Sequence, residues 1–150
     1  MKVPVLLGLA AAMGVLSGCD SGPKSGRGFR LPEGDIAKGR ATFVDLGCNG
    51  CHTVAGVDLP PPSKPEQILV ALGGQVLRIR SYGELVTAIV NPSHELAKGY
   101  PSEKISREGK SLMANFNEVM KVAQLIDLVT FLQSRYEKLE PDYRSDYPYY

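Results

Sequence analysis

Cys48-Asn49-Gly50-Cys51-His52 is the one place in this chain where two cysteines stand close together, and one of only two histidines follows them directly. Two thiols three positions apart with an adjacent imidazole can hold a metal ion, exchange a disulfide, or capture a group covalently while a ring nitrogen faces it. A structural zinc site needs four nitrogen or sulfur ligands. His94 is the only other histidine, and the third cysteine, Cys19, belongs to a different reading given below, so that set is incomplete. A thioredoxin-like redox pair opens a helix within a βαβ unit. Here the pair follows a helix-patterned segment, in a chain without βαβ alternation. The plain alternative is two structural thiols beside an incidental histidine.

Cys-x-x-Cys-His is also the attachment signature of c-type haem. Thiols on one turn of chain reach the two vinyl groups of a protoporphyrin and form thioethers, and the next imidazole is then held over the iron as proximal ligand. Asn49 and Gly50 are small, which suits a linker pressed against the macrocycle. On this reading Cys48 and Cys51 carry one haem c and His52 is the proximal iron ligand.

The elements that must position these groups are partly legible. Asp35 can cap a helix in which Ile36, Gly39, Phe43 and Val44 share a face, and Gly47 stands where that helix would stop. Pro60, Pro61, Pro62 and Pro65 forbid regular structure after the cysteines. Alternation in Val70/Leu72 and Leu77/Ile79 around Gly73-Gly74 suits a short β-hairpin over 68–80, with a helix and loop as the competing reading. Ser81 and Glu84 have capping-box spacing for a helix over 81–90 that buries Leu85, Val86 and Ile89, and Asn91-Pro92 ends it. Residues 91–117 read mostly as loop. Val122, Leu125, Ile126, Val129, Leu132 and Tyr136 recur at three- and four-residue intervals, which predicts a last helix from about 119 to 139, stopped by Pro141.

The chain of 150 residues, with 43% hydrophobic and 22% charged residues and a net charge of +1, has the balance of one soluble domain and none of the basic excess of a nucleic-acid binder. Its start differs in kind. Lys2 precedes an apolar run over 3–16 that falls short of the ~20 residues needed to span a bilayer and matches the core of an export signal. It ends in Leu16-Ser17-Gly18-Cys19, which resembles the lipobox of bacterial lipoproteins. The expected organisation is a signal peptide over 1–18, a lipidated Cys19 with a Gly/Ser-rich tether to 34, a domain over 35–140, and a tail over 141–150 holding Tyr143, Tyr147, Tyr149 and Tyr150. Asp20 resembles the signal that keeps such lipoproteins at the inner membrane, so the expected location is the inner membrane, facing the periplasm. With Cys19 acylated, only Cys48 and Cys51 remain, too few for a disulfide framework.

Over roughly 35–136 the chain resembles the monohaem c-type cytochromes of the small all-helical class. Three features carry the likeness: Gly39-Arg-Ala-Thr-Phe43 ahead of Cys48-Asn-Gly-Cys51-His52; Met113-Ala-Asn-Phe116, similar to the family's Met-Pro-x-Phe loop; and Leu128-Val-Thr-Phe131-Leu132. The resemblance implies an all-α fold whose N- and C-terminal helices cross near the haem, with a glycine and an aromatic of the first helix against the last. It also implies Met113 as the distal iron ligand, with His94 and Met120 the competing candidates. The other ring N–H of His52 would meet a proline carbonyl, for which Pro60, Pro61 and Pro62 are eligible. Two departures stand out. Ala114 replaces the usual proline, and Lys121 replaces the usual Ser or Thr cap of the last helix, leaving Asn117 or solvent to serve.

A histidine–methionine pair raises the reduction potential and leaves iron no open position. The expected function is therefore a membrane-anchored, periplasm-facing electron carrier, not an enzyme, whose partners are redox proteins and the membrane and not nucleic acid. The alternatives are a haem-bearing subunit of a larger respiratory or sulfur-oxidising complex, and a ligand-sensing haem with a labile Met113. Lys64, Arg78, Arg80 and Lys110 are candidates for a docking rim or simply for solvated surface.

Overall fold

The computed structural model describes residues 28–62 and 69–140. The signal segment, Cys19 and the tyrosine-rich tail lie outside the described residues, as does Lys64.

Helix α1 (Ile36–Asp45) starts where Asp35 accepts hydrogen bonds from the N–H groups of Ala37 at 2.8 Å and Lys38 at 3.0 Å. These satisfy donors that the first turn leaves open. Helix α2 (Tyr82–Val90) begins at a capping box in which the Glu84 N–H donates to Ser81 Oγ at 3.3 Å and the Ser81 N–H to Glu84 Oε2 at 2.7 Å. A short α3 (Ser102–Ile105) follows, and α4 (Val122–Gln133) is the longest helix described. Three-stranded or larger sheets do not form among the described residues. Instead six short strands make three two-stranded ladders. β1 (His52–Val54) pairs in parallel with β2 (Val70–Leu72), β3 (Gly74–Val76) pairs in parallel with β6 (Tyr136–Lys138), and β4 (Ser106–Arg107) pairs antiparallel with β5 (Lys110–Ser111).

The expected all-α architecture is therefore corrected to a mixed one, with four α-helices and three small ladders among the described residues. β1 with β2 and β3 with β6 are pairs distant in sequence, which no local repeat records, while β4 and β5 pair locally within the loop segment. The expected hairpin over 68–80 is replaced by a corner. β2 and β3 are separated by Gly73 alone, and Gly73 and Gly74 both take positive φ, +79° and +80°. That left-handed pair sends the chain out of one ladder and into another. A Cβ at Gly73 would lie 2.8 Å from the Arg135 carbonyl oxygen, so the corner also needs glycine for room. The last helix is shorter than its repeat suggests. Ser134 Oγ donates to the Phe131 carbonyl at 2.7 Å and helps close the helix, after which Tyr136 enters β6. Asn117 does not cap α4. Gln124 Oε1 accepts from the Lys121 N–H at 2.9 Å, while Asn117 Nδ2 donates to the Val90 carbonyl at 2.9 Å and ties the loop to the end of α2.

The core is the contact of α1 and α2 with α4: Phe43, Leu85, Ile89, Leu128, Val129, Phe131 and Leu132, with Val54 from β1. Two glycines let the N-terminal segment lie against α4. A Cβ at Gly34 would stand 2.6 Å from Thr130 Oγ1, and one at Gly39 would overlap the Asp127 carbonyl oxygen. Asp127 Oδ1 also accepts from the Asp35 N–H at 2.8 Å. Phe43 and Phe131 meet edge to face, centroids 5.9 Å apart, a geometry the ring quadrupoles favour.

One acid-sensitive device sits at the start of α2. Arg78 grips Glu84 with both nitrogens, at 2.6 and 2.9 Å, and this guanidinium, aided by the Ser81 N–H, holds the carboxyl at about 2 against an ordinary 4.5. A carboxylate whose folded value is lowered adds stability above its unfolded value, and that stability is lost as pH falls from about 4.5 towards about 2. Glu84→Gln is expected to flatten that acid limb in urea titrations at successive pH values. The pair is largely exposed, so the effect at neutral pH is expected to be about 1 kcal/mol or less. An unchanged limb counts against the assignment.

Candidate functional site

The Cys48–Cys51 segment is shaped by what precedes it. α1 ends at Leu46, and Gly47 turns the chain in the left-handed region at φ +72°. A single turn of 3-10 helix over Cys48–Gly50 follows, closed by the Cys51 N–H on the Cys48 carbonyl at 3.1 Å. The pair thus follows the carbonyl end of a helix. That end carries partial negative charge, opposite to the N-terminal placement that lowers a redox thiol. Cys48 is partly buried and burial pushes its thiol up to about 11. Cys51 is exposed, and no disulfide joins the two.

Asn49 is buried, and its Nδ2 donates to the Pro60 carbonyl at 3.0 Å, pinning the proline loop under the turn. Pro60 is therefore used by Asn49. The ring of His52 meets another carbonyl: Nδ1 lies 3.2 Å from the oxygen of Val70, its register partner across the β1–β2 ladder. A carbonyl only accepts, so Nδ1 carries the proton and the lone pair sits on Nε2. Burial holds His52 below its ordinary 6.5, with the Val70 carbonyl partly opposing, which favours the neutral ring. The Phe43 ring stands 6.5 Å from the imidazole, centroid to centroid, and Phe131 backs Phe43.

These residues fit a haem c by the chemistry of their donor set. Two thiols lie one turn apart, and beside them is a neutral imidazole, oriented at Nδ1, with its Nε2 lone pair available for iron. They fit a zinc site poorly. A structural zinc needs four ligands, and among the described residues no group of three or more His, Cys, Asp and Glu is arranged to hold a metal ion.

Cys48, Cys51 and His52 follow one another through the 3-10 turn into β1, and the distal candidates lie on other segments. Met113 is half-buried on the loop after β5, where its N–H donates to Ser111 Oγ at 3.1 Å and the Ser111 N–H to Ser93 Oγ at 3.1 Å. Those bonds place the loop and not the sulfur. Met120 packs against the core, and His94 is exposed. Asn115 Oδ1 accepts from the Asn117 N–H at 2.9 Å, so both asparagines shape the loop. Of the suggested docking rim, Arg78 is taken by Glu84, and Arg80 lies 4.0 Å from Glu95. Sequence reasoning missed Val70 and Tyr100. The Tyr100 hydroxyl accepts from the Ala71 N–H at 2.9 Å, and no residue-type pattern marks either partner.

Comparison with known proteins finds no matching family model, no matching curated protein and no matching solved structure. Among the described residues no helix is long and apolar enough to cross a membrane.

Proposed function

We propose that this chain carries one haem c, bound through thioethers at Cys48 and Cys51 and ligated by His52 and Met113, and that it works as an exported electron carrier anchored to the membrane by a lipidated Cys19. The observation that supports this best is His52: a half-buried imidazole held towards its neutral form, oriented by the Val70 carbonyl and immediately next to two thiols on one turn. When bound, the group supplies a one-electron iron couple. The chain supplies the rest. The turn fixes both sulfurs, the β1–β2 ladder fixes the imidazole plane, and Phe43 closes one side of the ring against water. With His52 and the Met113 sulfur both bound, the iron would have no place for a substrate, so the role is transfer and not catalysis. A soft thioether also favours the ferrous state and raises the potential.

The test is a redox-titrated visible spectrum with an intact mass, on exported wild-type protein and on Met113→Ala. Wild type is expected to gain the mass of one macrocycle and to show the sulfur-to-iron charge-transfer band. Met113→Ala is expected to keep the mass, lose that band and titrate at lower potential. Mature material that is colourless and without added mass overturns the proposal, and a band that survives in Met113→Ala removes Met113 as ligand.

A further inference from the structure

The Val70 carbonyl that meets His52 and the Ala71 N–H that meets Tyr100 belong to one peptide unit. Its two polar groups face opposite ways, as a trans peptide in a strand requires. On one side lies the imidazole at 3.2 Å, and on the other the phenol oxygen at 2.9 Å. Tyr100 is itself held by its neighbours. Gly99 turns the chain at φ +85°, and Pro101 follows and leads into α3.

We propose that Tyr100 is a positioning residue for His52, acting through the Val70–Ala71 peptide unit. A peptide group is conjugated, so a hydrogen bond taken at its nitrogen end raises the negative charge on its oxygen. The Tyr100 oxygen, by accepting from Ala71, makes the Val70 carbonyl a stronger acceptor for the Nδ1 proton. That proton is drawn towards the carbonyl and electron density moves to Nε2, the atom that would bind iron. A more basic Nε2 stabilises ferric over ferrous iron, so Tyr100 lowers the potential that the methionine raises. The redox consequence rests on the haem reading. The hydrogen-bond chain itself does not.

The test compares wild type with Tyr100→Phe, which keeps the ring and removes the acceptor. The equilibrium constant for reduction of the ferric to the ferrous protein is expected to rise about threefold, about 30 mV for a one-electron couple. The His52 Nδ1 proton resonance is expected to move upfield, and the Ala71 amide to exchange about tenfold faster. A variant with unchanged potential and unchanged Nδ1 resonance, whatever its melting temperature, reduces Tyr100 to a structural residue and overturns the proposal. Wild type alone supplies a second check if the variant folds poorly: an Ala71 amide that exchanges as fast as an open-chain one overturns it too. A wild type without covalent haem sinks the haem reading, while the Nδ1 resonance and the Ala71 exchange still decide the role of Tyr100 in the bare chain.

Discussion

Replacing Gly39 with valine is expected to destabilise this protein by at least about 4 kcal/mol, because the new side chain collides with something that cannot move away. A Cβ built at Gly39 overlaps the Asp127 carbonyl oxygen and stands 2.6 Å from both the Asp127 carbonyl carbon and Phe131 Cβ. The obstacle is main chain in the middle of α4, so no rotamer change relieves it. The two helices must separate, and separation uncovers Phe43 and Phe131, which are each 1% exposed. Set against a typical total of ~5–15 kcal/mol, that loss leaves little folded protein. Gly83 is the matched control. It also lies in a helix, but a Cβ there meets only Ser81 Oγ at 4.0 Å, so Gly83→Ala is expected to stabilise by about 0.5–1 kcal/mol. Urea melts followed by circular dichroism read both. Gly39→Val melting with wild type would mean that α1 does not lie this close to α4.

The second large effect is expected at Phe131. Its ring is buried, meets Phe43 at 5.9 Å and lies under the Arg135 guanidinium, 6.0 Å from the ring centre. Phe131→Ala leaves a cavity between two helices joined by close backbone contact, so the site collapses little, and a cost of about 3–5 kcal/mol is expected. The same cavity frees Phe43, whose other side faces His52 at 6.5 Å. The His52 ring resonances are therefore expected to broaden in Phe131→Ala, even though residue 131 does not touch the imidazole. Phe116→Ala, at a half-buried ring on the edge of the α2–α4 contact, is expected to cost less and to leave His52 unchanged. A loss below about 1 kcal/mol at Phe131 is incompatible with the packing described.

These two positions show where sequence reading succeeds. Gly39 and Phe43 are four residues apart on one helical face, and Phe131 flanks the strongest apolar repeat of the chain. Helix starts were equally legible at Asp35 and at the Ser81–Glu84 pair, because a cap is a contact between near neighbours. Periodicity misled at Tyr136. The residue continues the repeat of α4, yet it lies in β6, because Gly74–Val76 offers ladder partners that a local pattern does not contain. The chain does turn at Gly73-Gly74, but the flanking strands pair with β1 and β6 and not with each other. Positive φ follows from residue type, whereas the choice of strand partner depends on which edge lies nearby.

The candidate site divides along the same line. Cys48, Cys51 and His52 were readable, since side-chain chemistry and spacing are written in residue identity. Residue identity is enough for the candidate reactive groups, the helix starts and the apolar stripes, all properties of types and short intervals. The folded chain is needed to show that the orienting carbonyl of His52 belongs to Val70, 18 residues on, and not to a proline. It alone brought Tyr100 to the far side of that peptide, 29 residues from Ala71, and turned an expected helical bundle into helices braced by small ladders. The physical reason is that every residue has a carbonyl and nearly every residue an N–H. Which of them meet is settled by packing between distant segments, which residue type does not record.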